Sequence, residues 1–139
     1  MGSYKHIEHS VGSYIAGHYN RAVEAGIGKN TLAAEMLAER GVLRGCTDIR
    51  NSGYPAHLNF HKDDIFEPDL SLYRGADVIY AIRPAIEMIP PLMDIARAAG
   101  CDLVVYHLGF ETYGDGGENI DCGVLLHRYV NGSEPVKER

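Results

Sequence analysis

The residues with the types and spacing for binding chemistry cluster in Arg21-Ala22-Val23-Glu24-Ala25-Gly26-Ile27-Gly28-Lys29-Asn30. A short apolar run carries an acid, then two glycines one residue apart, then the start of a helical pattern. Glycines at such a turn let the backbone approach a ligand, and a helix start offers unpaired N–H groups. Asp48 follows Gly28 by twenty residues, at the end of a second apolar run. An acid so placed can accept hydrogen bonds from ribose hydroxyls. The expected ligand is a small adenosine-containing molecule.

The turn narrows the ligand further. A dinucleotide loop of the form Gly-x-Gly-x-x-Gly would need glycine where Thr31 stands. A phosphate-binding loop would need glycine at Val23 and Ser or Thr at Asn30. Glu-x-Gly-x-Gly is instead the pattern of S-adenosylmethionine binders. Glu24 suits a ligand carrying an ammonium and a sulfonium, and it would repel a pyrophosphate. NAD or NADP is the disfavoured alternative. Asp63-Asp64 lies after a third strand, where an acid would sit beside the adenine. Arg83-Pro84 falls where a fourth strand meets the cleft. Arginine does not lose its proton, so Arg83 would orient an anionic substrate rather than act as a base. Its bland alternative is a surface pair with Glu87. Tyr80 and Tyr106 are candidates to line the site. No catalytic base is apparent. His6 with His9, and His57 and His61 with Asp63, lack the partners of a built metal site, and no metal is expected.

These residues need a scaffold of alternating strands and helices. Ile7, Val11, Tyr14, Ile15 and Tyr19 predict an amphipathic helix over Tyr4 to Tyr19. Strands are expected at Ala22 to Ala25, Gly45 to Ile49, His57 to Phe60, Asp77 to Ile82, Asp102 to Leu108 and Val124 to Val130. Asn30 is the expected N-cap of a helix that Gly41 ends, and Pro90-Pro91 opens another that Gly100 stops. Asp69 to Tyr73 reads as a helical turn, and Gly109 to Ile120 as a loop. The fold class is α/β, a three-layer sandwich with a mostly parallel sheet. With only a loop between them, the last two strands should pair antiparallel. One domain over residues 1–139 is expected, with residues 131–139 as a frayed tail.

Composition removes other classes. The chain has 139 residues, 45% hydrophobic, with a formal net charge of -6 and a pI near 5.6. That balance opposes nucleic-acid binding. No apolar run is long enough for a bilayer, and no charged leader precedes one. Cys46, Cys101 and Cys122 fit reduced thiols, so a cytoplasmic protein without membrane contact is expected.

Together, Val23 to Gly28, Thr47-Asp48-Ile49-Arg50, Asp63-Asp64-Ile65 and Tyr73-Arg74-Gly75-Ala76-Asp77-Val78-Ile79-Tyr80-Ala81-Ile82-Arg83-Pro84 resemble uncharacterised protein family 0146. This is a group of small, mainly archaeal proteins with a Rossmann-like, class I methyltransferase-like fold. The similarity covers about residues 14 to 108. It implies that Glu24, Gly26 and Gly28 hold the methionine part of S-adenosylmethionine, Asp48 the ribose, and that Asp64 lies near adenine. It also implies a possible methyltransferase for a small or anionic substrate. Ala85 departs from the family, where another proline often follows Arg-Pro. Ile82-Arg83-Pro84-Ala85 also lacks the Asn/Asp-Pro-Pro-aromatic sequence of many amino-group methyltransferases, and the C-terminus leaves little room for a substrate-binding extension. A non-catalytic nucleotide-sensing or interaction module is therefore the alternative.

Overall fold

The computed structural model describes residues 3–132. Helix α1 (Ser3–His18) leads into strand β1 (Ala22–Ala25), helix α2 (Leu32–Glu39) and strand β2 (Leu43–Asp48). Strands β3 (Phe60–Lys62) and β4 (Val78–Ile82) follow, then helix α3 (Ile89–Ala99) and strands β5 (Asp102–Tyr106), β6 (Glu118–Asp121) and β7 (Leu125–Val130). The sheet runs β3-β2-β1-β4-β5-β7-β6. The first five strands are parallel, and β7 pairs antiparallel with both β5 and β6.

Side-chain alternation along the strands divides the core. Ala22, Val78, Tyr80 and Val104 face α1 and α2, packing with Val11, Ile15, Ala33 and Leu37. Val23, Ala25, Ile79, Ala81, Leu103 and Val105 face α3, packing with Ile89, Leu92 and Ile95. Both faces of β1 and β4 are thus covered, which is why β4 reads as a continuous apolar run and β1 as an apolar run broken only by Glu24.

Several expectations shift. The third strand is Phe60–Lys62 rather than His57 to Phe60, because Ala56–Leu58 forms a 3-10 turn and Asn59 turns left-handed (φ 51°). The Asn59 amide donates to the Arg44 carbonyl at 2.6 Å, and its own carbonyl packs so close that a Cβ at Gly45 would meet it at 2.9 Å. Thr31 rather than Asn30 is the N-cap of α2, and it makes no side-chain cap bond. Gly41 does end α2: its N–H donates to Ala38, and the Val42 N–H to Leu37. The expected loop Gly109 to Ile120 contains the start of β6, a polar edge strand that makes the hairpin with β7. The antiparallel β5–β7 pairing holds across that longer connection. Of the expected tail, residues 133–139 lie outside the described residues.

Candidate functional site

The carboxyl ends of parallel strands in an open α/β sheet leave a crevice outside the sheet edge, where ligands bind. Here that crevice is a cleft of about 290 Å³. Gly26 from the turn after β1, Asp48 from the end of β2, Asp64 from the loop after β3 and Arg83 after β4 all line it. Ile49 and Phe66 add apolar walls although they are 57% and 58% exposed. Exposed apolar side chains in a cleft that also holds carboxylates suit a flat ring with polar edges.

Gly26 (φ 69°) and Gly28 (φ 59°) both adopt the left-handed region, which is the conformational reason for glycine at each. The Gly28 N–H donates to Asp48 Oδ2 at 2.8 Å, and the Arg50 N–H to Oδ1 at 3.1 Å. The turn and the acid are therefore one structure. An ionised carboxylate has about four lone-pair sites, so two backbone bonds leave acceptor capacity for a diol. Asp64 Oδ1 accepts the Phe66 N–H. Asp63 is held by the Tyr73 hydroxyl at 2.7 Å, and that hydroxyl also meets Thr47 Oγ1 at 3.1 Å. Burial raises the Tyr73 pKa, so its proton stays on the phenol to donate to Asp63. Tyr73 thus fixes the acidic wall, a role its place in a helical turn gives no hint of.

Glu24 and Gly28 are not part of the cleft lining. Glu24 is 1% exposed and points toward α1 and α2, because β1 alternates. It lies opposite Tyr80 in the β1–β4 register, and the Tyr80 hydroxyl donates to it at 2.8 Å. Burial pushes the Glu24 pKa well above the ordinary value, with the carboxylates Glu8 and Asp48 pushing the same way and Tyr80 opposing. Tyr80, expected as a lining residue, is fully buried, and Tyr106 sits beneath Arg83 instead of in the cleft wall.

Arg83 pairs with Glu8, not with Glu87: Nη1 to Glu8 Oε2 is 3.4 Å. Glu8 is 1% exposed, and its Oε1 accepts the Ala33 N–H of the first turn of α2 at 3.4 Å. An acid from α1 thus serves as the missing side-chain cap of α2. One of the N–H groups expected to be open for a ligand is therefore already engaged. The signal for Glu8 was its spacing: it precedes Val11 by three residues and Ile15 by seven, on the buried stripe.

The remaining candidates lie elsewhere. His57 bonds Glu35, and no group of three or more His, Cys, Asp or Glu among the described residues is placed to hold a metal. Burial pushes the Cys46 and Cys101 thiols up to about 12. No helix among the described residues is long and apolar enough to cross a membrane.

A pH dependence follows from Glu24. A carboxyl whose folded-state pKa lies above its unfolded value contributes stability that is complete below the unfolded value and is lost as pH rises through the folded one. Glu24→Gln cannot titrate, so relative to it the wild type should lose stability as pH rises above about 4.5, by up to about 1.4 kcal/mol per pH unit. Melting curves of both proteins from pH 5 to 8 check this. A gap between them that stays constant, or that moves in favour of the wild type with rising pH, contradicts it.

The strand order, with its antiparallel β7 and a cleft at the carboxyl edge, defines a class I methyltransferase-like, Rossmann-type fold. Two solved structures of the same kind are the methyltransferase domains of bacterial-CtHen1-CN and bacterial-CtHen1-C. They match with TM-scores of 0.53 and 0.54 at 11% and 10% identity, over 73% and 71% of this chain. The chain spans 65% and 63% of those two structures. Within this fold the chain belongs to the Uncharacterised protein family (UPF0146), whose family model matches residues 9–115. A UPF0146 protein of Archaeoglobus fulgidus is 37% identical over 106 residues, covering 76% of this chain and 78% of the relative. One from Halobacterium salinarum is 36% identical over 102 residues, covering 73% and 78%.

Proposed function

We propose that the protein binds S-adenosylmethionine and transfers its methyl group to a small acceptor. The observation that carries this reading is that Gly26, Asp48 and Asp64 line one cleft at the carboxyl edge of the sheet. Asp48 takes the ribose diol, and Asp64 with Ile49 and Phe66 surrounds the adenine. Glu24, one layer behind the turn, supplies negative potential toward the cationic end of the ligand once it ionises. Three carboxylates among the lining residues, Asp48, Asp63 and Asp64, oppose a pyrophosphate.

The bound ligand supplies an electrophilic methyl on a sulfonium. Transfer to a good nucleophile needs mostly positioning and exclusion of water, so turnover does not depend on a dedicated catalytic base. One observation favours a second, non-catalytic reading as an adenosine sensor. Arg83-Pro84-Ala85 brings neither an acceptor amide nor an aromatic ring to the end of β4.

A thermal-shift panel of S-adenosylmethionine, S-adenosylhomocysteine, NAD, NADP and ATP tests the binding. The first two should stabilise the protein most. Equal or larger shifts with the dinucleotides, or none with any adenosine compound, would overturn the proposal. Binding without methyl transfer to any of a panel of small acceptors would favour the sensor.

A further inference from the structure

Arg83 is the one cation among the residues lining the cleft. Its backbone is strained: φ is 58°, a region that non-glycine residues rarely occupy, and such strain clusters at ligand sites. The Arg83 N–H donating to the Tyr106 carbonyl at 2.7 Å helps hold that conformation. The turn sends the side chain over the Tyr106 ring, 5.7 Å from its centroid, and toward Glu8.

The guanidinium is held but not satisfied. Charge-assisted hydrogen bonds are ordinarily about 2.7–2.9 Å long, whereas the bond to Glu8 is 3.4 Å. Nη2 is enclosed and has no partner. A guanidinium has five donors and cannot shed its proton, so an incomplete set is a standing demand for an oxyanion. The side chain is 20% exposed, and Glu8, on α1, is its carboxylate partner. To meet a ligand oxyanion in the cleft, the fork must turn from this enclosed position.

We propose that Arg83 determines the specificity of the cleft by receiving the carboxylate of the ligand's amino-acid portion, with Glu8 as the positioning residue that holds the guanidinium in place. This rests on the S-adenosylmethionine reading above. A ligand with its ribose at Asp48 and its adenine by Asp64 carries one anionic group of its own, the amino-acid carboxylate, and Arg83 shares its cleft. The other source of the same chemistry is an oxyanion on the methyl acceptor, and ligands with and without the amino-acid portion separate the two.

S-adenosylhomocysteine and 5′-methylthioadenosine share the adenosine thioether, but only the former has the amino-acid carboxylate. Calorimetric titration should show wild type binding S-adenosylhomocysteine at least about tenfold tighter than 5′-methylthioadenosine. The double variant Glu8→Gln/Arg83→Met removes both charges together and so avoids a buried unpaired carboxylate. It should bring the ratio to within about threefold while leaving 5′-methylthioadenosine affinity unchanged, which also reports an intact fold. Arg83→Lys keeps the charge without the fork and should give an intermediate ratio. Glu8→Gln alone should lower the ratio severalfold, an effect that a purely structural role for Glu8 would not produce at constant 5′-methylthioadenosine affinity. A double variant that keeps the wild-type ratio overturns the proposal and assigns Arg83 to the acceptor. Equal wild-type affinity for the two ligands also overturns it, with the cofactor reading intact. Binding of neither removes the cofactor reading and this inference together.

Discussion

Replacing Glu8 with alanine is expected to cost about 3 kcal/mol of folding stability. Glu8 joins three elements: it sits on α1, caps the first turn of α2 through Ala33, and pairs with Arg83 at the end of β4. Truncation leaves the Ala33 N–H without its acceptor and the Arg83 cation without its counter-charge. Breaking a buried pair by removing one partner costs about 3–5 kcal/mol, because the survivor stays charged and desolvated. Arg83 keeps 20% of its side chain in solvent, which puts the expectation at the lower end. The same reasoning predicts coupling: adding Arg83→Met to Glu8→Ala should restore stability by about 1 kcal/mol or more, since the unpaired charge is gone. Urea denaturation of the wild type, both single variants and the double variant checks it. A Glu8→Ala loss below about 1 kcal/mol, or costs that simply add, would show that Arg83 does not depend on Glu8.

What could be read beforehand follows from which features are local. The turn after β1 was legible because glycines in the left-handed region are required by the chain itself. Asp48 was legible because a strand, a helix and a second strand fix its distance from that turn. The β4 run was plain because a strand covered on both faces has no polar break. Glu8 was hidden. It stands between His6 and His9 in a surface-like sequence, and only the packing of α1 on α2 makes it a core residue. Tyr80 was misjudged for the converse reason, since its hydroxyl suggested a place in the cleft while strand alternation turned it inward toward Glu24. Strand β6 had no apolar signature because it forms the sheet edge and buries little. The third strand was misplaced by the left-handed Asn59, whose conformation depends on the Arg44 carbonyl of a neighbouring strand. Local chemistry therefore indicated where the cleft would lie, and long-range packing decided which acids face it.

Asp48→Ala is expected to remove most of the ligand response, with a loss of affinity for S-adenosylhomocysteine of about 100-fold. Hydrogen bonds to a charged group are worth about 1.5–3 kcal/mol each, and a ribose diol can give two to one carboxylate. At a ligand concentration about one hundred times the wild-type dissociation constant, the wild type gains roughly 2.7 kcal/mol. For a domain of this size, whose unfolding entropy is about 0.3 kcal/mol/K, that is a melting-temperature rise of roughly 9 °C. The variant at the same concentration should gain only about 0.4 kcal/mol, near the limit of detection. Asp48 also holds the Gly28 and Arg50 N–H groups, so the unliganded variant should melt a few degrees lower. The ligand response must therefore be measured against the variant's own baseline. The pattern across ligands identifies the cause. Asp48→Ala should weaken 5′-methylthioadenosine and S-adenosylhomocysteine by the same factor, since both carry the ribose, whereas the Arg83 variants should weaken only the second. An Asp48→Ala protein that keeps the wild-type shift places the ribose elsewhere. One that loses S-adenosylhomocysteine but keeps 5′-methylthioadenosine would assign Asp48 to the amino-acid end of the ligand.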